Sequence, residues 1–194
     1  VENTGAVPFM RVTANDQARI LQALDCGARG IVIPQVNSAT AAREAVKAAR
    51  YYPDGERGLA SIVRAARYGF VPFADYVQQA NKAVMILTQV EHVDAVAHLD
   101  EILAVEGLDG IFVGPADLSQ SMGMPGQVNN EEFRATVSSI LRRTKAAGKV
   151  AGIFCFNPAD AKHWISQGAN LAVVGADIML MSGAARKLVS ELNS

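Results

Sequence analysis

What most restricts the fold of this chain is its rhythm. Short runs of β-branched and large aliphatic residues alternate with longer stretches that carry apolar residues at helical spacing, always strand first and helix second. Residues 7–12 (VPFMRV) read as a strand with Arg11 near its end, followed by a helix that turns Ile20, Leu21 and Leu24 inward and stops at Gly27. Asn15 is placed to cap that helix, and Asp16 suits its positive end. Residues 30–34 (GIVIP) form the next strand, and 38–50 an alanine-rich helix opened by Ser38. A short helix over 74–81 leads into the strand 85–91 (MILTQVE), then a helix over 93–105 with Val96, Leu99, Ile102 and Leu103 inward, then a strand over 108–113. After the turn GPADLS come helix 130–147, strand 150–155, helix 158–167, strand 171–174 and helix 178–192.

That makes six strand-helix units. Such regularity predicts an α/β fold with a parallel sheet and right-handed crossovers. A complete (β/α)₈ barrel of the TIM type takes eight units and about 250 residues. The chain therefore reads as such a barrel lacking about two N-terminal units, or as a smaller open sheet; a start at Val1 rather than methionine fits the first. With 194 residues, half of them hydrophobic, residues 1–194 are expected to form a single domain.

Lys plus Arg (18) nearly balances Asp plus Glu (19), and neither sign clusters, so nucleic acid and membrane surfaces are not expected partners. No apolar run approaches the ~20 residues that span a bilayer. Cys26 and Cys155 lie far apart in apolar contexts and are expected as buried free thiols in a reducing cytoplasm. Periodicity fails across 51–73, a long loop carrying Arg57, Arg64 and Arg67. Loops of that length inside a domain are usually functional or lie at an interface; the arginines either meet an anionic substrate or another subunit, or are simply solvated.

Two strands end abruptly in polar groups. One delivers Gln89 and Glu91, the other runs into Asp117 and Ser119, which is how buried parallel strands present side chains at a barrel mouth. A carboxylate at a strand end also caps helices, but the pair Glu91 and Asp117 suits a hard divalent cation, since Mg²⁺ commonly takes one or two carboxylates and keeps several waters. A 2-oxo acid could then chelate through its keto oxygen and carboxylate, and the enolate formed at C3 would be stabilised. Gly114 lets backbone approach a ligand, Pro115 starts a short helix, and the free N–H groups of Ala116 and Asp117 suit an anionic carboxylate. Arg11 is either paired to an acid at the mouth or a fixed cation beside the keto oxygen. Gln89 shares a face with Glu91 and either packs inside or contacts substrate or cation-bound water. Phe154 and Cys155, at a later strand end, line the far end of such a pocket or pack in the core.

PFMRVTAND, the loop YYPDGERGL with RAARYG, LTQVE and, above all, GLDGIFVGPADLSQSMG resemble the HpcH/HpaI family of class II pyruvate aldolases, whose members act on 4-hydroxy-2-oxo-heptanedioate, 2-keto-3-deoxy sugar acids and similar compounds. The similarity runs through the chain to GADIMLMSGAA. It implies a barrel of the phosphoenolpyruvate/pyruvate type and a divalent metal ion (Mg²⁺, or else Mn²⁺ or Co²⁺) held by Glu91 and Asp117. Gln89, Gly114, Ala116 and Asp117 would bind the small-molecule 2-oxo acid, with Arg11 stabilising its enolate. It also implies a homohexamer, a trimer of dimers exchanging the last helix; the apolar run from Ile178 to Met181 is compatible with exchange and equally with core packing.

The chain departs from that pattern at the general base, a histidine in an acid-x-x-His segment upstream of the position of Arg11, which has no counterpart here. His92, His98 and His163 lie on helices and read as surface or helix-packing residues. The base is therefore absent or replaced by cation-bound water. Asp25 matches a family carboxylate that supports that histidine; because its helix ends at the bottom of the barrel, it would have to serve a neighbouring subunit's site. The activity expected is cleavage of a 4-hydroxy-2-oxo acid to pyruvate and an aldehyde. The alternatives are an acyl-CoA lyase like citrate lyase β or malyl-CoA lyase, against which the run Ser119, Met122, Gly123 speaks, and a non-catalytic module that binds metal and 2-oxo acid.

Overall fold

The computed structural model describes residues 4–193, so Val1, with its bearing on the chain's start, lies outside them. Six strands, β1 (Phe9–Arg11), β2 (Gly30–Ile33), β3 (Met85–Val90), β4 (Gly110–Val113), β5 (Val150–Cys155) and β6 (Leu171–Val174), form one curled, wholly parallel sheet in the order β1-β2-β3-β4-β5-β6. The helices are α1 (Gln17–Asp25), α2 (Ala39–Ala49), α3 (Phe73–Ala83), α4 (Val93–Ala97), α5 (Leu99–Leu103), α6 (Pro115–Ser121), α7 (Glu131–Ala146), α8 (Pro158–Ser166) and α9 (Asp177–Leu192). The outcome is a partial TIM-type barrel: an arc of six strands among the described residues rather than a closed ring of eight.

Strand parity separates two faces. Ile31, Ile33, Ile86, Ile111, Val113, Ala151, Ile153 and Cys155 point to the helices and share the main core with Phe133, Ile140 and Trp164. Val32, Leu87 and Phe112 point into the arc and pack with Phe154 and Leu171. Arg50, which the sequence reading passed over, ties the ends of these elements together: its guanidinium donates to the carbonyls of Asn81, Val84 and Gly107 and pairs with Asp109 at 3.1 Å, while Asp109 also accepts from Ile86 N.

Several local expectations are corrected. The cap of α1 is Asp16, whose side chain accepts from Arg19 N, because Asn15 is turned away to donate to Ala41 O. The stretch 93–105 is two short helices broken at His98, and the first strand holds only Phe9–Arg11. The long loop contains a 3₁₀ segment, Arg64–Gly69, in which Arg67 and Tyr68 take positive φ. Cys155 is buried but Cys26 is exposed, because it caps α1 where the chain turns at the left-handed Gly27 (φ 98°). No residue of α9 is buried, and Ile178, Leu180, Met181, Leu188 and Val189 are each more than half exposed, so this stretch does not pack in the chain's own core.

Candidate active site

The carboxyl ends of the strands form the mouth of the arc. In the register Val90↔Val113, Glu91 and Gly114 follow on adjacent strands, and Gly114 N donates to Val90 O. Because Gln89 and Glu91 lie two apart on β3 and its exit, they fall on the inner face together. Arg11, at the end of β1, donates from Nε to Gln89 Oε1 at 3.0 Å. Gln89 in turn donates from Nε2 to Glu91 Oε2. The other Glu91 oxygen, Oε1, accepts the backbone N–H of Gln35 at 2.8 Å. The ends of β1, β2 and β3 are thus linked through Gln89 and Glu91.

Gly114 leaves room for these side-chain ends. A Cβ there would lie 2.4 Å from Gln89 Nε2 and 3.2 Å from Glu91 Oε2. The next residues open α6, with Pro115 in its first turn, so the N–H groups of Ala116 and Asp117 have no carbonyl one turn back. Glu91 is buried, whereas Arg11, Ala116 and Asp117 reach solvent. Burial pushes the Glu91 carboxyl above its usual range. The Gln35 N–H pulls it back, the Asp117 charge and a hydrogen bond with Asp117 push it up again, and Arg11 lowers it. The two carboxyls are therefore neighbours that repel, with a guanidinium close enough to be felt.

Gln35 is the member of this cluster that residue type does not announce. It contributes only a backbone N–H, held in the left-handed region at φ 56°, a conformation that costs a non-glycine residue about 1–3 kcal/mol and accumulates at functional sites. Phe154 joins the inner cluster at the mouth, whereas Cys155, one residue on, faces the helices at 1% exposure and packs in the core. The histidines have other partners: His92, one residue past Glu91, caps α4, His98 lies between α4 and α5, and His163 stacks on Trp164.

Asp25 is not brought to this cluster. It sits at the far end of α1, where Oδ1 pairs with Arg57 Nη2 at 2.8 Å. Arg57 is itself buried, stacked 4.4 Å over the Tyr51 ring and donating to Tyr76 Oη at 3.3 Å, so this loop arginine is not solvated. Burial and the hydrogen bond with Tyr76 push the Tyr51 hydroxyl well above the ordinary tyrosine range.

The donors at the mouth are oxygen only. Among the described residues no group of three or more His, Cys, Asp and Glu gathers around a metal position, which speaks against a zinc-type cage. A buried Glu91 beside a solvent-exposed Asp117 fits a hard cation that keeps most of its waters.

Residues 1–184 match the HpcH/HpaI aldolase/citrate lyase family. A 2-keto-3-deoxy-L-rhamnonate aldolase of Salmonella gallinarum is 44% identical over 178 residues, covering 91% of this chain and 66% of the relative, so the chain spans just under two thirds of that length. The crystal structure of the HpcH/HpaI aldolase of Desulfitobacterium hafniense DCB-2 superposes with a TM-score of 0.90 at 34% identity, covering 100% of this chain and 74% of that one. A more distant likeness, at 18% identity and a TM-score of 0.56 over 87% of this chain and 67% of that one, is to the citrate lyase beta subunit of M. tuberculosis complexed with oxaloacetate and magnesium; it bears on the fold alone. On the family match and the identity to these relatives, the chain belongs to the HpcH/HpaI aldolase/citrate lyase family.

Proposed function

We propose that the protein is a metal-dependent class II pyruvate aldolase that cleaves a 4-hydroxy-2-oxo acid to pyruvate and an aldehyde. The observation that carries this reading is the hydrogen-bonded line Arg11–Gln89–Glu91 beside Asp117, which puts a fixed cation and two repelling carboxylates at one barrel mouth. Glu91 and Asp117 would hold a divalent ion, Mg²⁺ or else Mn²⁺ or Co²⁺. Bound there, it would supply Lewis-acid polarisation of the substrate's keto group.

The chain's own groups do the rest. Gln35 N–H and Gln89 Nε2 fix both oxygens of Glu91, so its carboxylate is oriented before anything binds. Arg11 places a guanidinium where negative charge develops on the keto oxygen. The N–H groups of Ala116 and Asp117, beside Gly114, receive the substrate carboxylate. The C3–C4 bond breaks with its electron pair left on C3 as the enolate, the C4 hydroxyl gives up its proton to become the aldehyde, and C3 then takes a proton to give pyruvate. The three histidines are engaged with their own helices, so the base is a water or comes from outside the described residues. Asp25, clamped by Arg57 at the other end of α1, would act in a neighbouring subunit's site.

The reading includes closure of residues 1–194, one domain, by two further N-terminal units into a full barrel of the pyruvate type. It also includes a cytoplasmic homohexamer, a trimer of dimers in which the exposed apolar side of α9 is covered by exchange. The acyl-CoA lyase alternative is the weaker fit, since the M. tuberculosis citrate lyase resembles the chain at the level of fold alone. No helix of the described residues is long and apolar enough to cross a membrane.

The test is exchange of the pyruvate methyl protons into deuterated water by the full-length protein. Exchange with Mg²⁺ and none after EDTA is expected; turnover undiminished in EDTA would overturn the reading. The pH dependence has a definite sign. Glu91 is raised above 4.5 in the fold, so its protonated form stabilises below that pH and the benefit is lost as pH rises through the folded value. A cation takes the place of that proton, so the gain in Tm on adding Mg²⁺ is expected to be larger at pH 8 than at pH 5. A gain equal at both, or larger at pH 5, would count against Glu91 as a ligand.

A further inference from the structure

Two carboxylates that are to share one cation repel each other until it arrives, so the segments that carry them have to be held together by other means. The segments leaving β3 and β4 are fastened at two points. Ahead of the carboxylates, Gly114 N donates to Val90 O at 3.1 Å and continues the ladder of the two strands. Beyond them, Val93 N donates to Ser121 Oγ at 2.9 Å. Glu91 falls between Val90 and Val93, and Asp117 between Gly114 and Ser121, so the two bonds bracket both carboxylates.

The two ties differ in kind. The first joins backbone to backbone and asks nothing of the side chains. The second exists because a hydroxyl stands one helical turn after Asp117, at the i, i+4 spacing that puts both on one side of α6. Val93 opens α4, where an N–H has no carbonyl one turn back and takes its partner from outside the helix. The next N–H, that of Asp94, is met by His92 Nδ1 at 3.2 Å, whereas Ser121 reaches in from another element. On the other flank of α6 the buried Ser119 hydroxyl donates to Ala116 O and accepts from Gly126 N, which holds the helix to the turn that follows it.

Resting on the reading of Glu91 and Asp117 as the cation's carboxylates, we propose that Ser121 is a positioning residue: its bond to Val93 N sets the span between the two carboxylates, and that span makes the mouth prefer Mg²⁺ to Ca²⁺. Mg²⁺ demands near-octahedral oxygens at about 2.0–2.1 Å, whereas Ca²⁺ accepts about 2.3–2.6 Å and irregular geometry. Without the tie, α6 swings away from the start of α4 and the two charges push the span wider. Mg²⁺ then loses a geometry that Ca²⁺ does not need.

The experiment is calorimetric titration of Mg²⁺ alone and of Ca²⁺ alone into the full-length protein, unsubstituted and as Ser121→Ala and Ser121→Thr. In Ser121→Ala the Kd for Mg²⁺ is expected to rise about five- to tenfold, the scale of one lost hydrogen bond, and that for Ca²⁺ by less than about twofold. Ser121→Thr keeps the hydroxyl and is expected to restore both values. A general loosening of the fold would weaken both ions alike and leave their ratio unmoved. That result, or an unchanged Mg²⁺ affinity in Ser121→Ala, would overturn the proposal. Failure of the unsubstituted protein to bind either ion would sink the cation reading itself, whereas binding indifferent to Ser121 would sink only the tie.

Discussion

Glu91→Gln is expected to lower metal-dependent cleavage by the full-length protein about a thousandfold or more, while the stability of the protein without metal changes little. A bound cation contributes several kcal/mol to stabilising the charge of the transition state, and ~4 kcal/mol corresponds to roughly three orders of magnitude in rate. Glutamine keeps the shape of the side chain but removes the charge that, with Asp117, would hold the ion. The stability half follows from the same geometry. Burial and the Asp117 charge make ionised Glu91 unfavourable in the fold, so a neutral isostere relieves repulsion, which offsets the hydrogen bond lost where its NH2 faces the Gln35 N–H or Gln89 Nε2. Steady-state kinetics with calorimetric Mg²⁺ titration and thermal melts check both parts. Activity within tenfold of the starting protein would remove Glu91 from the cation site.

Arg11→Lys is expected to cost about a hundredfold or more in kcat, with a smaller change in KM, the range seen when one donor to a developing oxyanion is lost. Lysine keeps the charge, so a purely Coulombic role would survive the change. What it loses is the planar fork that bonds Gln89 through Nε at 3.0 Å and leaves the terminal nitrogens for other acceptors. A kcat within fivefold, with the loss confined to KM, would instead make Arg11 a binding group for the ground state.

Much of the sheet was legible because its signals are local. Strands 150–155 and 171–174 coincide with the observed β5 and β6, since alternation and the turns at Gly148 and Gly168 lie within a few residues of each other. What escaped was decided by distant parts of the chain. Asn15 lost its cap role to a carbonyl on α2, the break at His98 came without proline or glycine, and Arg57 became buried because Asp25, Tyr51 and Tyr76 surround it. At the site, parity on one strand put Gln89 and Glu91 together before any coordinates. The bond from Arg11 to Gln89 joins residues 78 apart, so its pairing was open between an acid and a free cation, and neither partner proved to be the acid. Gln35 was out of reach of any reading by residue type, because it contributes backbone that every residue but proline possesses.

The sheet's strand order is the order of the chain itself. Each strand docks beside the one made just before it, so an emerging polypeptide can lay the arc down edge by edge without waiting for a distant segment or threading through a loop. The same arrangement leaves the newest edge bare at every stage, with unpaired N–H and C=O groups along it. Assembly along that order is exposed while it extends, and the mouth chemistry is completed in chain order: Arg11 first, Glu91 after it, and Asp117 only once the fourth strand is in place.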